Sequence, residues 1–368
     1  MLKQYRVRNY NFKLVILVTA LTIIGIFAVG SAKESMQKTQ LSGFIIGLFL
    51  MVVLSLFDYS ILLNLYWIFY IGNILLLLSV EFFGKTTNGA TRWVNIFGIQ
   101  FQPSETAKIL LILFYAQFIM KYKDKINTFK FIFLSCVLIV PSLLLIYSQP
   151  NLSTTIVVAV IFCVVMFVGG ISWKLVIGVF SVTIPALVIA IVLILQPDQD
   201  LLHGYQQTRI LAWLHPEEYA TTEAYQQLNS IMAIGSGQLR GKGYNTNEIS
   251  SVKNTNFISE PQSDFIFAVI GEEFGFLGTC TVIILLILIT LECLSVARKA
   301  KDLAGTIIAT GMAGLIGFQG FLNISVTTGI LPNTGVTLPF VSSGLTSLVS
   351  LFIGIGFVLN VGLQGKKY

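Results

Sequence analysis

The sequence predicts an all-α membrane protein of about ten transmembrane helices, organised as a single membrane domain over residues 1–368. Composition is the first reason: apolar residues make up 55% of the chain and charged residues only 11%. A typical soluble domain has about 25% charged residues. Long apolar runs are the second reason, because a spanning helix needs roughly 17–25 such residues and these runs recur along the whole chain. The bilayer must therefore be the main solvent.

Ten apolar segments are interpreted as spans, although several are shorter than twenty residues. Seven precede a long polar stretch at 196–273, and three follow it. That stretch is predicted to be one large extracellular loop between helices 7 and 8, carrying part of an active site. The predicted spans are Leu14–Val29, Leu41–Phe57, Leu62–Val80, Ala107–Met120, Phe131–Tyr147, Thr154–Val168, Leu175–Leu195, Phe274–Leu294, Leu303–Thr328 and Ser347–Leu363.

The basic residues predict the orientation, because short cytoplasmic loops are enriched in Lys and Arg. With the N-terminus inside, 14 of the 23 basic residues fall in the termini and inner loops. An even number of spans returns the C-terminus to the same side, so both termini are predicted to be cytoplasmic. The 14 residues are Lys3, Arg6, Arg8, Lys13, Lys121, Lys123, Lys125, Lys130, Lys174, Arg298, Lys299, Lys301, Lys366 and Lys367.

Several functional classes are disfavoured by the same composition. Ion-coupled pumps place ionisable residues at membrane depth, and none of the ten spans has one in its middle. His203 and His215 have no Cys nearby, so they predict no metal site. The inner loops account for the net charge of +6, which therefore does not indicate a nucleic-acid partner. Membrane lipid is the partner that the composition does require.

The polar residues are concentrated in four stretches that the topology places on the outer side. Loops held by a rigid scaffold often carry function, and these four would meet at one membrane surface. They are therefore expected to form a site for a substrate with a lipid tail. The stretches are Gly84–Lys108, Gln149–Thr155, Gln196–Glu273 and Asn323–Ser347.

The first stretch contains Arg92 and Trp93, followed by Pro103, Glu105 and Lys108. Pro103 suits the first turn of a helix, where its missing N–H would be unpaired in any case. Glu105 in that turn is favoured by the helix dipole, and Lys108 lies on the same helix face. One interpretation is an intrahelical salt bridge with Trp93 as an interfacial anchor. The other is a cationic helix start that faces a phosphate.

The long outer loop offers two further features. An amphipathic run from Tyr225 to Met232 predicts a helix lying on the membrane surface. Gly235–Gly243 is rich in glycine and carries Arg240 and Lys242, but its spacing is not that of a Walker A loop. The segment could form a backbone nest for an anion, and a flexible turn fits its composition equally well.

Asp264 lies where this loop gives way to the eighth span. A partly desolvated carboxylate there would have a raised pKa and would be a stronger base. A helix N-cap is the alternative, since Asp is a preferred capping residue, and the residues alone favour the cap. The fourth stretch interrupts the apolar pattern with glycine and proline, which is tolerated at membrane depth where the backbone lines a cavity. It is expected to form one wall of the site.

These motifs together resemble the SEDS family, the shape, elongation, division and sporulation proteins RodA, FtsW and SpoVE. The resemblance runs over nearly the whole chain, with the motifs in the family's order. They are Gly89–Trp93, Gln102–Glu105, Gln149-Pro150, Ala233–Gly237, Arg240–Gly243, Ser263–Ala268 with Gly271–Glu273, and Leu331-Pro332 to Leu338–Ser342.

The resemblance implies a peptidoglycan glycosyltransferase with a GT-C-like fold in a bacterial plasma membrane. Its substrate would be lipid II, a disaccharide-pentapeptide on undecaprenyl pyrophosphate, and its partner a single-span class B penicillin-binding protein. The family's essential Asp corresponds to Asp264. An inverting transfer needs a base and positive charge near the pyrophosphate, and a divalent cation such as Mg or Mn could assist. The substrate-binding candidates are Arg92, Trp93, Glu105, Lys108, Arg209, Arg240 and Lys242.

Two departures from the family pattern and two rival functions remain. Asn151 stands where the family usually has Asp after Gln-Pro, and Ser342–Leu345 replaces a common Ser-Tyr-Gly-Gly. The rivals are a lipid II flippase and a non-enzymatic scaffold for the partner synthase. The resemblance also implies that the partner docks on the two spans after the long loop, Phe274–Leu294 and Leu303–Thr328. Small residues favour close packing of helices in lipid, and Gly305, Gly311, Gly314 and Gly317 supply them.

Overall fold

The computed structural model describes residues 10–87, 90–96, 98–179, 181, 185, 204–245 and 258–365. Helices dominate these ranges, and a short single turn of 3-10 helix covers Lys123–Lys125. The helices are α1 (Phe12–Ala32), α2 (Glu34–Leu56), α3 (Tyr59–Leu63), α4 (Tyr66–Phe83), α5 (Pro103–Lys121), α6 (Phe129–Ser148), α7 (Leu152–Val168), α8 (Gly204–Leu214), α9 (Tyr225–Ser236), α10 (Ile266–Lys299), α11 (Leu303–Thr327) and α12 (Leu345–Leu363).

Nine of the ten predicted spans coincide with a described helix. Among the described residues, seven helices are long and apolar enough to cross a membrane, and α7 is a shorter apolar helix. Helix α5 begins at Pro103 as predicted and carries Glu105 in its first turn. The seventh predicted span, Leu175–Leu195, begins in helical residues 173–179 and otherwise lies almost wholly outside the described residues. The fold class predicted from composition is confirmed.

Three helices form the buried centre of the molecule. Helix α5 is buried along most of its length, and α11 and α12 are the most enclosed of the candidate spans. Helix α11 packs against α5, α7, α10 and α12, while α2 packs against α12 and α4 against α5. The outer helices expose apolar side chains, as a lipid solvent allows. The centre therefore offers rigid positions from which side chains can reach a site.

A small antiparallel sheet joins α4 to α5, within the first polar stretch, for which the sequence predicted no strands. Its strands are β1 (Gly84–Thr87), β2 (Ala90–Ile96) and β3 (Ile99–Phe101), in the order β1-β2-β3. Lys85 pairs with Trp93 and Thr86 with Thr91, so the register shifts and Arg92 is the extra residue of a β-bulge in β2. Such bulges redirect a side chain. This bulge lets the neighbouring residues Arg92 and Trp93 both line the cavity described below.

Helix α9 confirms the helix predicted from the amphipathic run, with its polar side turned inward. Gln227 donates to the carbonyl oxygens of Val326 at 2.8 Å and Leu331 at 2.7 Å. On the outer side, Ile231 and Met232 are 41% and 61% exposed. The apolar side of α9 is therefore open to the surroundings, as expected for a helix lying against lipid.

Helix α10 is broken at Gly275, which has φ +62° and ψ −157°. The break leaves backbone N–H and carbonyl groups without hydrogen-bond partners inside the helix, and the main chain of residues 238–243 supplies those partners. The N–H groups of Phe276 and Leu277 donate to the carbonyl oxygens of Gln238 at 2.8 Å and Leu239 at 3.2 Å. In return, the N–H groups of residues 242 and 243 donate to the carbonyl oxygens of residues 272 and 273. This reciprocal pairing replaces the lost helical bonds.

The pairing corrects the anion nest considered for Gly235–Gly243. Three consecutive N–H groups that a nest would present, those of residues 241–243, all donate to carbonyl oxygens within 3.1 Å. The segment is also more than a flexible turn, because an added Cβ on Gly241 would lie 2.1 Å from the carbonyl oxygen of Glu273. The glycines serve close packing against α10.

The glycines of α11 are also used inside the chain, so the predicted docking role for them is wrong. A Cβ on Gly311 would lie 2.9 Å from Ile112 of α5, and one on Gly314 would lie 3.4 Å from Val164 of α7. Gly317 faces Thr290 of α10 at 3.4 Å in the same way. Close packing of small residues in lipid is as expected, but the contacts are intramolecular.

One end of the helix bundle, here called the basic end, is closed by polar contacts. It comprises the start of α1, residues 58–60, residues 299–302 and Gln364. The Tyr59 hydroxyl donates to Asp302 Oδ1 at 2.8 Å, and Lys301 Nζ lies 4.8 Å from the centre of the Tyr59 ring. Asn360 joins α12 to residues 55 and 59, accepting from the Tyr59 N–H at 2.9 Å. These contacts fix the ends of several helices to one another.

Candidate active site

All four polar stretches meet at the other end of the bundle, here called the cavity end, as the sequence predicted. They enclose a cavity of about 620 Å³. The residues that line it come from α2, the sheet and its turns, α5, α7, the segment before α10, α11, the connection between α11 and α12, and the start of α12. They are Met36, Thr39, Gln40, Arg92, Trp93, Gly98, Gln100, Gln102, Glu105, Lys108, Thr154, Val157, Glu260, Ser263, Asp264, Gln319, Gly335, Val336, Thr337, Ser343, Gly344, Leu345, Thr346 and Ser347.

Lys108 and Glu105 form an ion pair in the wall of this cavity. The Lys108 Nζ to Glu105 Oε1 distance is 2.8 Å, and the two residues are only 2% and 6% exposed. Lys108 also donates to Gln319 Oε1 at 2.8 Å, while the Ser347 hydroxyl donates to Glu105 Oε2 at 2.6 Å. An ammonium group has three donors, and the described residues accept from two of them. The intrahelical salt bridge is therefore present, and its cation lines the cavity.

Asp264 lines the same cavity and is not a helix cap. The N-cap of α10 is Phe265, and no side chain caps that helix terminus. This corrects the interpretation that the residues alone favoured. Burial raises the pKa of the Asp264 carboxyl, and nearby Glu260 acts in the same direction, while Arg92 and Arg209 oppose it. A desolvated carboxylate facing a cavity is suited to accept a proton.

Arg92 is held at the mouth of α7 by main-chain groups. Its Nε donates to the carbonyl oxygen of Gln149 at 3.3 Å, and its Nη2 donates to that of Pro150. Asn151, where the family usually has Asp, caps α7 by accepting from the Thr154 N–H at 3.3 Å. Arg92 is also close enough to Asp264 for its charge to lower the pKa of that carboxyl.

The other predicted cations have different surroundings. Arg209 of α8 donates to the carbonyl oxygen of Asn333 at 3.4 Å and is close enough to lower the pKa of Asp264, although it does not line the cavity. Arg240 and Lys242 do not line it either. Lys242 Nζ instead pairs with Glu272 Oε1 at 2.9 Å beside the break in α10. The structure thus brings Asp264, Arg92, Trp93, Glu105 and Lys108 together and leaves Arg240 and Lys242 outside.

The connection between α11 and α12 forms one wall, as expected from its glycines and prolines. Gly335 has φ +70°, and a Cβ there would lie 3.2 Å from Asp264 Oδ2. Only glycine adopts that backbone conformation readily. The wall can therefore approach the Asp264 carboxylate closely because residue 335 has no side chain.

Sequence reasoning missed several polar residues that hold the cavity together. Gln40 of α2 donates to the carbonyl oxygen of Ser342 at 3.0 Å, and Asn323 of α11 donates to the carbonyl oxygens of Asp264 and Val336. Gln319 and Ser347 were missed as well. A single amide inside an apolar span is costly unless it has partners, and that cost was the available signal.

Within the described ranges, no group of three or more His, Cys, Asp or Glu side chains is close enough to hold a metal ion. The arrangement that the described residues do offer is a carboxylate and cations around a polar cavity. Such a cavity is able to bind an anionic group and to accept a proton.

Fold and site together define a class: a multi-pass helical membrane protein with a polar cavity at one end of its bundle. Residues 5–367 match the family of cell cycle proteins FtsW, RodA and SpoVE. Peptidoglycan glycosyltransferase MrdB of Escherichia coli K12 is 34% identical over 356 residues, which cover 96% of this chain and 93% of that protein. A probable peptidoglycan glycosyltransferase FtsW of Geobacter metallireducens is 30% identical over 374 residues, 98% of this chain and 96% of that protein.

Solved structures agree with these relatives. The chain superposes with a TM-score of 0.79 and 29% identity on a chain from a study of how a peptidoglycan synthase complex coordinates polymerization and crosslinking, covering 96% and 97% of the two chains. Rod shape determining protein RodA of Thermus thermophilus gives a TM-score of 0.70 at 27% identity and 98% coverage of both chains. The chain belongs to the FtsW, RodA and SpoVE family.

Proposed function

We propose that this chain is an inverting peptidoglycan glycosyltransferase that polymerises lipid II. The acceptor's GlcNAc hydroxyl attacks the anomeric carbon of a lipid-linked MurNAc, forming the β-1,4 glycosidic bond. The bond from that carbon to the phosphate oxygen breaks, and undecaprenyl pyrophosphate leaves with the electron pair. The relatives' names support this activity, since they are peptidoglycan glycosyltransferases. The reaction needs a base for the hydroxyl proton and cations for the leaving group.

Asp264 accepts the proton, and the cations of the cavity stabilise the pyrophosphate. The carboxylate's raised pKa strengthens it as a base. Lys108 has two acceptors among the described residues, so its third N–H can meet a phosphate oxygen. An arriving pyrophosphate would compete with Glu105 for Lys108, while the Ser347 hydroxyl keeps its hold on Glu105. Arg92 adds positive charge to the cavity wall, next to the turn at Gln149.

One observation carries the proposal: Asp264 and Lys108 line the same cavity although 156 positions separate them in sequence. A lipid II flippase would need a polar path through the whole bilayer. The described part of the chain closes the basic end with side-chain contacts such as Tyr59 to Asp302. A scaffold would not need a desolvated carboxylate facing a cavity. The enzyme is therefore the function that this geometry supports best.

A single assay separates the three functions. Purified protein in detergent is given lipid II, and the products are resolved by length on a gel. The enzyme makes glycan polymer there, whereas a flippase and a scaffold make none. Wild-type protein that binds lipid II yet yields no polymer, even with its partner synthase added, would contradict the proposal.

The expected orientation places the cavity end on the outer face of the bacterial plasma membrane. Lys121–Lys125 follow the end of α5 that lies away from the cavity, and they would be cytoplasmic because inner loops have an excess of Lys and Arg. Cysteines introduced at Lys125 and Asn245 should react oppositely with an impermeant thiol reagent in intact cells. Only the cysteine at 245 should be labelled from outside, and labelling of both would contradict the orientation.

The partner would be a single-span class B penicillin-binding protein, which fits the likeness to a synthase complex that polymerises and crosslinks. With the α11 glycines used internally, the exposed stripe on α10 is the better docking face. Ile284, Ile287 and Leu291 are 54%, 52% and 54% exposed. Changing Ile287 to Trp should reduce co-purification with the synthase. The matched control is Ile71→Trp on α4, 55% exposed, and an equal effect of both would contradict the α10 face.

A further inference from the structure

Helix α11 carries two buried amide side chains one helical turn apart at the cavity end. Gln319 and Asn323 are four residues apart, so they lie on the same face of the helix. Each is only 1% exposed. Buried amides in an apolar span need partners, and these two find them in the connection that follows α11. Here the pair is called the amide pair.

Both members hold the cavity wall at consecutive carbonyl groups. Gln319 Nε2 donates to the carbonyl oxygen of Thr337 at 3.0 Å and to its Oγ1 at 3.1 Å. Asn323 Nδ2 donates to the carbonyl oxygen of Val336 at 2.6 Å. Residues 332–338 have no regular secondary structure, so their carbonyl groups depend on such donors. A purely structural role would account for these hydrogen bonds to the wall.

The remaining contacts of the amide pair lead to the reacting groups. Gln319 Oε1 accepts from Lys108 Nζ at 2.8 Å. Asn323 Nδ2 donates its second hydrogen to the carbonyl oxygen of Asp264 at 2.7 Å. The cationic side of the cavity and its carboxylate are thus attached to adjacent turns of one rigid helix. They are also attached to the same wall, at Val336 and Thr337.

The two hydrogen bonds donated by Asn323 Nδ2 come at a cost in stability, because they hold the Asn323 Oδ1 in a buried position. Both hydrogens of Nδ2 are directed at carbonyl oxygens, so the amide cannot be flipped without opposing oxygen to oxygen. Its Oδ1 is buried and accepts no hydrogen bond among the described residues. An unsatisfied buried acceptor is destabilising and calls for an explanation. The hydrogen bond from Asn323 to the main chain of Asp264 supplies that explanation.

We propose that Gln319 and Asn323 are positioning residues that set the separation between Lys108 and Asp264 for glycosyl transfer. The proposal rests on the proposed function, because it assigns Lys108 to the leaving group and Asp264 to the proton. Neither amide touches the reacting atoms. Each acts by holding the main chain of the wall together with one of the two reacting groups, so that the groups are fixed before substrate arrives.

Asn323 also determines how closely the wall covers Asp264. Gly335 leaves 3.2 Å between its Cβ position and Asp264 Oδ2, and Asn323 fastens the residues on both sides of that approach. Without the amide the wall would move away and water would reach the carboxylate. The pKa of Asp264, which burial now raises, would then fall towards its ordinary value. The other charged groups that face Asp264 are Arg92, Arg209 and Glu260, and none of them is changed in the test.

The test compares Asn323→Leu with Asn360→Leu. Asn360 is a matched control, a fully buried Asn whose Nδ2 likewise donates to a main-chain carbonyl oxygen, that of Ser55 at 2.7 Å, at the basic end. Purified variants are assayed for thermal stability, for polymer from lipid II, and for labelling of Asp264 by a hydrophobic carbodiimide across pH. Labelling is read by mass spectrometry and reports the protonated carboxyl without turnover.

Both variants should lose stability, and only Asn323→Leu should change the site. We expect its turnover to fall roughly 10²-fold, the cost of a displacement of about 1 Å, with little change in lipid II binding. The labelling midpoint of Asp264 should shift about one pH unit lower. For Asn360→Leu, both the turnover and the midpoint should match the wild type.

Gln319 provides a second test, in case Asn323→Leu fails to fold. Gln319→Glu keeps an acceptor for Lys108 but loses the donor to Thr337, so it should fold and lower turnover. Its new carboxylate lines the same cavity as Asp264, so any shift of the Asp264 midpoint should be upward, opposite to that of Asn323→Leu. An unchanged midpoint in Asn323→Leu, or wild-type turnover in Gln319→Glu, would overturn the positioning role. A wild-type protein without polymerase activity whose midpoint still shifts with Asn323→Leu would uphold the geometry and reject the proposed function.

Discussion

The two ends of the helix bundle use polar residues in opposite ways. At the basic end, polar side chains bind one another and close the structure: Asn360, Tyr59 and Asp302 are linked directly or through the main chain. At the cavity end, buried polar groups surround an opening of about 620 Å³. Lys108 and Asp264 keep hydrogen-bonding capacity there that the described residues do not use. The polar contacts of the basic end stabilise the fold, whereas the unused hydrogen-bonding capacity of the cavity end is suited to binding a ligand.

The same difference appears in the titration of the two ends. Hydrogen bonds from Gln364 and the Ser60 N–H, with Lys301 nearby, outweigh desolvation and lower the pKa of Asp58 at the basic end. Desolvation prevails at Asp264, whose pKa is raised. A carboxyl with a lowered pKa stabilises the fold above its unfolded pKa, and this contribution is lost as pH falls through the folded pKa. A raised pKa has the reverse sign, so ionised Asp264 costs stability at neutral pH.

The largest expected effect is that of Asp264→Asn. Removing a general base typically costs roughly 10²–10⁴-fold in rate, so polymer should almost disappear on the gel. The variant should fold and bind lipid II, and its Tm should equal or exceed that of the wild type, because the penalty of an ionised buried carboxylate is gone. An Asn variant with normal polymer would remove Asp264 from the mechanism and return attention to Glu105.

Lys108 comes next, because its role is both structural and chemical. Lys108→Met alone would leave Glu105 buried without its partner, which typically costs about 3–5 kcal/mol. Adding Glu105→Gln should restore most of that stability. Polymerisation by the double variant should nevertheless stay roughly ten- to a hundred-fold low, as for the loss of one charged hydrogen bond. Normal polymer from a stable double variant would make the pair purely structural.

A smaller effect is expected from Arg209→Gln. Arg209 lowers the pKa of Asp264, so its loss should raise that pKa further. The rate of a base-catalysed reaction falls as pH drops through the pKa of the base. The acid limb of the pH–rate profile should therefore move to higher pH. The rate at a pH well above the limb tests substrate binding separately. A limb that stays in place or moves lower would refute the electrostatic link.

The smallest effect belongs to the basic end. Lys301 is 34% exposed at its side chain, and its Nζ lies 3.9 Å from Asp58 Oδ1. Surface pairs of this kind contribute at most about 1 kcal/mol. Lys301→Ala should lower the Tm slightly and leave polymerisation unchanged. A loss of activity comparable to that of the Lys108 variants would show that the two ends are coupled.

Sequence reasoning was most successful where the bilayer itself imposes the pattern. Nine spans, the start of α5 at Pro103 and the helix of Tyr225–Met232 follow from apolar length, proline and periodicity. The convergence of the polar stretches followed from topology. The small sheet was missed because its strands are short and interrupted, and strand pairing depends on partners across a turn.

The remaining misses share one physical cause, a dependence on distant main chain. Asp264 could not be distinguished from a cap without knowing that the turn before α10 ends at Phe265. Gln319 and Asn323 give no periodic signal, since their partners are carbonyl groups of residues 336 and 337 and of Asp264. The Gly235–Gly243 segment suggested an anion site, although the N–H groups of its residues 242 and 243 are satisfied by the main chain of α10 beside Gly275. The local sequence does not show that α10 is broken there.

The break at Gly275 also provides a way to follow the outer loop by amide hydrogen exchange. The N–H groups of Phe276 and Leu277 lie inside a long apolar helix, yet their acceptors belong to Gln238 and Leu239. Exchange at these two amides requires the loop to detach, whereas amides further along α10 require the helix itself to open. The exchange rates of these two neighbouring amides would thus report detachment of the loop, while the other amides of the span would exchange only when the helix opens.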